Sequence, residues 1–154
     1  MKRFNFRLEQ VRKWRQEQAD AEEMRLGQLN AERLRNQELQ REITAAAEES
    51  QRKVLAQATV TTEDLGSLEA FHDYAQHEVH RLQAQEAQID KRIVEQRQKA
   101  LEAHRSFQLL DGLRDKALLT WTAARDKEQD ELGAELYLAQ FPNNRRRSKS
   151  LPAD

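Results

Sequence analysis

Apolar residues between Leu65 and Ala124 recur at alternating steps of three and four residues. Fourteen of the eighteen positions met in this way are apolar, far above the 38% of the whole chain. A repeat of 3.5 residues held this long, with no proline in it, is typical of a coiled-coil seam. A helix of this length has no core of its own, so we expect it to lie against another helix. The seam positions are Leu65, Leu68, His72, Ala75, Val79, Leu82, Glu86, Ile89, Ile93, Gln96, Ala100, Ala103, Phe107, Leu110, Arg114, Ala117, Trp121 and Ala124.

A weaker apolar stripe crosses residues 1–58, which we predict to form the first helix. Because residues 16–23 are almost free of large apolar groups, the repeat must shift register there, as it does at a stutter. Gly27 costs about 1 kcal/mol relative to alanine, but both flanks favour helix strongly enough to continue through it. The members of the stripe are Phe4, Leu8, Val11, Leu26, Leu29, Leu39, Ile43, Ala46, Ala47 and Val54, with Trp14 beside them.

One interior stretch, residues 57–66, disfavours helix because three threonines and a valine gather there. We predict a turn at residues 59–62. Thr61 or Thr62 would then cap the second helix, whose first turn is acidic and suits the positive end of the helix dipole.

A turn near residue 60 folds the two helices into an antiparallel hairpin and fixes which residues face each other. If the numbers of facing residues add to roughly 121, apolar residues meet apolar residues along both seams. The predicted fold class is all-α, a long two-helix antiparallel coiled-coil hairpin whose second helix is the longer. A dimer of extended helices would use the same stripes and is the alternative. The facing pairs are Phe4 with Ala117, Val11 with Leu110, Trp14 with Phe107, Leu29 with Ile93, Leu39 with Leu82, Ile43 with Val79 and Val54 with Leu68.

The second helix is predicted over residues 63–141, where Pro142 ends it, and residues 142–154 are predicted to form a disordered basic tail. The second helix extends beyond the start of the first helix by about 20 residues, or roughly 30 Å. Apolar surface without an internal partner usually marks an interaction site, although packing on Phe4 and Phe6 is a competing interpretation. The apolar residues concerned are Leu118, Leu119, Trp121, Leu132, Leu136, Tyr137, Leu138 and Phe141.

Composition supports long helices and narrows the choice of partners. Charged residues make up 34% of the chain and aromatic residues 6%, with four glycines and two prolines, as in coiled coils. The net charge of −1 provides no overall field for nucleic acid or an acidic membrane. There is no cysteine and no apolar run long enough to span a bilayer, so a cytoplasmic protein is the expectation.

No motif indicates catalysis, a cofactor or a metal, so we do not expect an enzyme. His77 and His80 resemble part of a zinc-protease motif, but that motif needs histidines four residues apart and Arg81 stands at that position. The acidic pairs are interpreted as solvated helix faces. A nucleic-acid binder acting through the basic residues 145–149 is an alternative that predicts salt-sensitive binding.

Three short motifs resemble one known family. The chain opens with two phenylalanines that flank one residue, then a Leu-x-x-Val step, then arginine, glutamate and a small residue. An aromatic pair follows the predicted turn, and a basic-acidic run closing in Asp-Glu lies late in the second helix. In these motifs and in its hairpin plan over residues 4–140, the chain resembles FliJ-like proteins, small coiled-coil components of the bacterial flagellar type III export apparatus. The residues concerned are Phe4, Phe6, Leu8, Val11, Arg15, Glu17, Ala21, Phe71, Tyr74 and 127–131.

The resemblance implies a fold similar to the stalk subunit of rotary ATPases and a role as an adaptor. It implies three partners: the hexameric export ATPase, the cytoplasmic domain of the membrane export gate, and export chaperones. The location it implies is cytoplasmic, peripheral at the inner membrane. Two alternatives are the equivalent stalk protein of a virulence type III secretion system and a purely structural, self-associating coiled-coil scaffold.

Contact residues are expected at both ends of the hairpin. From the overhang and the stalk resemblance, the residues expected to contact the ATPase are Phe4, Phe6, Trp121, Leu132, Leu136 and Tyr137. The residues expected to contact the export gate are Phe71, Tyr74 and Leu82. This expectation rests on the resemblance and on the enrichment of aromatic residues in binding hot spots. Nucleic-acid binding and direct membrane insertion are not expected.

Overall fold

Two long helices make up nearly all of the structure, a computed structural model that describes residues 3–147. Helix α1 spans Glu9–Leu55 and helix α2 spans Thr62–Arg147. They form the predicted all-α antiparallel hairpin, in which α2 is the longer helix. Within the described residues, neither helix carries a stretch apolar and long enough to cross a bilayer.

The chain divides into two units, and in each a part of α1 lies against a part of α2. The terminal unit contains, of the described residues, 3–14 and 106–147, and the turn-side unit contains Arg15–Arg105. In the terminal unit Arg12 contacts both Phe107 and Asp111. In the turn-side unit Leu39 and Leu82, predicted to face each other, line the same groove. Each unit therefore keeps the predicted register to within about one helical turn.

The predicted seam of α2 is the buried face of the turn-side unit. Every described α2 residue that is buried lies on that seam, and each is 8% exposed or less. On α1, Ala19 and Asn36 are buried. Because a pair of helices buries only one strip of each, this narrow strip is the hydrophobic core of the unit. The buried α2 residues are Ala75, Leu82, Ile89, Ile93 and Gln96.

Polar residues interrupt the seam at Glu86 and Gln96, and both have partners on α1. Gln96 donates its side-chain amide to the backbone carbonyl of Glu22 at 3.0 Å and also to the Glu22 carboxylate. Gln37 and Gln40 donate to the Glu86 carboxylate at 2.6 and 2.8 Å. A shift of α1 by one turn would break these hydrogen bonds and leave polar groups without partners, so they help to fix the register.

The first helix begins at Glu9, not at residue 1 as predicted. Residues 3–6 have no regular secondary structure, and Phe4 and Phe6 are half-buried whereas the residues between and beside them are exposed. This alternation is typical of an extended segment, in which every second side chain points to the same side. Two phenylalanines two residues apart would point to different sides of a helix, which explains why the helix starts later.

The turn between the helices spans residues 56–61, so α1 ends three residues earlier than predicted. Thr61 caps α2, as the sequence indicates. Its hydroxyl accepts a hydrogen bond from the Asp64 backbone N–H at 3.2 Å and donates to the Asp64 carboxylate at 2.7 Å. The Thr61 backbone N–H donates to that carboxylate at 3.0 Å, which completes a capping box. These hydrogen bonds lower the pKa of Asp64.

Helix α2 continues through Pro142 to Arg147, whereas the sequence predicts its end near residue 141. Proline removes one hydrogen bond and crowds the carbonyl four residues earlier, but its fixed φ lies near the helical value. Residues 148–154, the rest of the predicted basic tail, lie outside the described residues.

Candidate interaction surfaces

Phe4 packs on α2 in the terminal unit. The rings of Phe4 and Trp121 have centroids 5.8 Å apart and planes inclined by 59°. The Arg125 guanidinium carbon lies 5.4 Å from the centroid of the Trp121 ring, a cation–π contact. The Phe6 carbonyl accepts a hydrogen bond from the Glu9 backbone N–H at 3.1 Å. For Phe4 and Trp121, therefore, the competing interpretation of internal packing is confirmed.

Beyond Arg125 the second helix is uncovered. Every side chain of residues 126–140, which we call the overhang, is exposed. Leu132, Leu136 and Tyr137 are exposed to 53%, 66% and 63%. The predicted ATPase-contact residues thus separate into a half-buried aromatic group and an exposed group on the overhang. Leu132 and Leu136 are one helical turn apart and share one face of α2.

A network of ion pairs, which sequence reasoning missed, holds the start of α1 on α2. Arg12 donates to Asp111 at 3.0 Å and to Glu9 at 2.9 Å, and its guanidinium lies 5.8 Å from the centroid of the Phe107 ring. Arg114 pairs with Glu9 at 3.5 Å. The hydrogen bond from Arg12 lowers the pKa of Glu9, and the same bond raises the pKa of Arg12.

This network could have been found from spacing and register together. Glu9 and Arg12 are three residues apart on one helix, a distance at which opposite charges pair. The predicted register places residues near 109 opposite Arg12, and Asp111 is the nearby acidic residue on α2. The network holds the start of α1 against α2. Because Phe4 lies only five residues before Glu9, the network also helps to position Phe4 against Trp121.

Phe71 and Tyr74 form an aromatic patch on the turn-side unit. Their ring centroids are 6.5 Å apart with planes inclined by 29°. Tyr74 is 60% exposed and Phe71 is half-buried. Leu82, the third residue predicted to contact the export gate, is only 5% exposed because its side chain lies in the seam against α1. We therefore correct that prediction: Leu82 is a core residue and is not part of the exposed surface.

The chain segment that carries the aromatic patch is acidic, although Arg81 at its end pairs with Glu78 at 2.8 Å. Residues 54–80 contain no lysine or arginine and five acidic residues. Among the described residues, Glu69 and Asp73 make no ion pair. A partner surface that carries lysine or arginine would complement this region. The acidic residues are Glu63, Asp64, Glu69, Asp73 and Glu78.

Two of the histidines near the patch lie along one groove. His72 and His80 line one groove, and a ring nitrogen of His72 lies 3.1 Å from the side-chain nitrogen of Gln76. Over residues 3–147, no group of three or more histidine, cysteine or acidic side chains is arranged to hold a metal ion.

Comparisons with protein-family models, with curated proteins and with solved structures found no match to this chain.

Proposed function

We propose that this chain is a stalk-like adaptor of the bacterial flagellar type III protein export apparatus. In this role it links the export ATPase ring to the cytoplasmic domain of the membrane export gate and handles export chaperones during flagellum assembly. It acts in the cytoplasm, peripheral at the inner membrane, and is not itself an enzyme. The motifs that begin with Phe4 and Phe6 support the family, and the helical hairpin agrees with the fold expected of it.

The observation that carries the proposal is the overhang. Helix α2 has 86 residues and α1 has 47, and the excess includes a segment with exposed leucines. Apolar side chains on a helix end that no other element covers are suited to a groove or channel of a larger partner. The central opening of an ATPase ring is such a place, as the stalk subunits of rotary ATPases illustrate.

The second contact in the proposal is between the aromatic patch and the export gate. Tyr74 offers a large exposed ring with a polar tip, a combination enriched in binding hot spots. Phe71 lies against it and restricts its movement, so less conformational entropy is lost on binding. The acidic surroundings predict that the gate presents basic residues here.

Removal of residues 126–154 is expected to abolish binding of the chain to the purified export ATPase. The truncated chain keeps the contacts of Phe4, Trp121 and Arg125, so the loss would come from the overhang and not from unfolding of the terminal unit. A chain that lacks only residues 142–154 is the matched control and should bind as the full chain does. Equal binding by the two truncated chains, measured by pull-down and by fluorescence anisotropy, would refute the proposal.

The double substitution Phe71→Ala and Tyr74→Ala is expected to weaken binding to the cytoplasmic domain of the export gate by about tenfold or more, as for aromatic hot spots. Helicity and ATPase binding should stay unchanged. Val94→Ala, at an exposed position of the same unit, is the control and should have no effect. Titration calorimetry with the isolated gate domain checks this, and unchanged affinity of the double variant would exclude the patch as the gate contact.

A self-associating structural scaffold is the second candidate. It is favoured by Leu109 and Leu113, which are 72% and 50% exposed and lie one helical turn apart on α2. Sedimentation over a range of concentrations separates the two: the adaptor predicts a monomer, and the scaffold predicts a dimer that persists on dilution. The equivalent stalk protein of a virulence secretion system would share the features above. The neighbouring genes would distinguish a flagellar protein from a virulence one.

A further inference from the structure

The exposed leucines of the overhang lie on one face of α2 together with two carboxylates. Glu128, Leu132, Glu135 and Leu136 are spaced at i, i+4, i+7 and i+8, positions that share one side of a helix. The two leucines are exposed to 53% and 66%. We call this set of four residues the leucine–glutamate face.

The charge of the overhang is strongly unbalanced. Residues 126–140 contain five carboxylates and one lysine. Two carboxylates have partners: Asp126 pairs with Arg125 at 2.9 Å and Glu131 with Lys127 at 3.8 Å. The remaining acidic residues, Glu128, Asp130 and Glu135, make no ion pair within the described part of the chain.

This arrangement weakens the helix when it is alone. Like charges three or four residues apart repel each other, as Glu128 and Glu131 do, and as Glu131 and Glu135 do. Cations from a partner would turn this repulsion into attraction at the same time as the leucines are buried. The leucines and the carboxylates together therefore favour a partner surface that is apolar in its centre and basic at its edge.

We propose that the leucine–glutamate face docks in an apolar groove of a partner protein whose rim carries lysine or arginine. The inference rests on the proposed function in one respect, namely that the export ATPase is the expected partner. Nucleic acids and anionic lipid surfaces are repelled by these carboxylates. Pairing with the same face of a second copy would bring Glu128 and Glu135 of both copies together, and such like-charge contacts disfavour self-pairing.

The test uses the full chain and a synthetic amphipathic helical peptide of leucine and lysine as the probe. Glu128→Gln with Glu135→Gln should lower the affinity for the peptide about tenfold at low salt and flatten its salt dependence. Leu132→Ser with Leu136→Ser should weaken binding as well. Both pairs of changes are at exposed helix positions, so circular dichroism should show unchanged helicity.

A matched control removes the same charge elsewhere. Glu42→Gln with Glu48→Gln changes two exposed carboxylates of α1 and should leave peptide binding unchanged. If the control lowers affinity as much as the overhang variant, net charge alone explains the binding and the proposal is overturned. It is also overturned if Glu128→Gln with Glu135→Gln binds the peptide as the unmodified chain does. A dimer that Leu132→Ser with Leu136→Ser dissociates would assign the face to a second copy and contradict the proposal.

A second arm replaces the peptide with the purified export ATPase. If the ATPase does not bind the unmodified chain but the peptide results hold, the proposed function fails and the docking inference stands. If the ATPase binds the chain and the glutamate variant equally well, the ATPase contact does not use this face and the docking inference is overturned.

Discussion

Ile89→Asp is expected to lower the free energy of unfolding by more than about 3 kcal/mol. Ile89 is 3% exposed in the seam of the turn-side unit. The substitution removes a buried apolar side chain and places a carboxylate in the apolar seam, where the charged group loses its hydration. Because domains are stable by only about 5–15 kcal/mol, this is a large fraction of the total. Thermal unfolding followed by circular dichroism should show a midpoint about 10 °C lower.

The control for this prediction is the same substitution on the outer side of the same helix. Val94 is 66% exposed, so Val94→Asp changes residue type and charge in the same way without disturbing the seam. Its midpoint should change by only a few degrees, because substitutions at exposed positions usually alter the free energy of unfolding by no more than about 0.5 kcal/mol. Similar midpoints for Ile89→Asp and Val94→Asp would mean that the predicted seam is not the core.

Glu86→Leu is expected to stabilise the protein by about 1 kcal/mol, because leucine adds apolar area to the seam. Arg33 loses its ion pair with Glu86 at 3.8 Å but keeps its pair with Asp90 at 3.3 Å. The Glu86 side chain is 20% exposed and lies between the helices. Gln40 keeps its hydrogen bond to Asn36 at 2.7 Å after the change, and the half-buried Gln37 can bond to water. The gain in stability should come with a less strictly defined register, since a polar seam residue is lost.

The pH dependence of this variant follows from the pKa of Glu86. Hydrogen bonds from Gln37 and Gln40, with a smaller effect of Arg33, lower this pKa from its ordinary value of 4.5. A carboxylate with a lowered pKa in the folded state stabilises the fold above its unfolded pKa, and this contribution is lost as the pH falls through the folded pKa. Glu86→Leu lacks the contribution, so its advantage in unfolding temperature should widen below about pH 4.5.

Glu38→Leu serves as the comparison, because Glu38 is 61% exposed on α1. This change should alter the free energy of unfolding by only a few tenths of a kcal/mol, as surface substitutions do. The difference in unfolding temperature between Glu38→Leu and the unmodified chain should therefore stay the same as the pH falls. If the two leucine variants respond to pH in the same way, the hydrogen bonds to Glu86 do not stabilise the fold.

The hairpin and its seam could be predicted from the sequence because they depend on periodicity. Hydrophobic residues at a 3.5-residue spacing leave one stripe to bury, and a single stretch of threonines leaves one place to turn. The buried residues Ala75, Leu82, Ile89 and Ile93 lie on the predicted stripe. The cap at Thr61 was equally predictable, since it needs only local residues.

The hydrogen bonds of Gln37 and Gln40 to Glu86 were beyond prediction, because a long polar side chain has many possible partners within reach. The contacts of Arg12 with Glu9 and Asp111 were missed, although their spacing and the predicted register pointed to them. The start of α1 was mispredicted because helix periodicity was extended through residues that alternate in the manner of an extended segment. Leu82 was predicted to contact the export gate, although the apolar repeat already placed its side chain in the seam against α1. A periodic pattern fixes which residues are buried, whereas it contains no information about which partner meets the exposed ones.

The central claim, that one turn folds α1 back on α2, is tested most directly by crosslinking Leu39 to Leu82. The chain contains no cysteine, so Leu39→Cys with Leu82→Cys introduces the only two thiols. At low protein concentration a short bismaleimide should join them within one chain, whereas the pair Leu39→Cys with Val94→Cys should stay unlinked. Links only between chains, or none at all, would contradict the hairpin and the functions proposed from it.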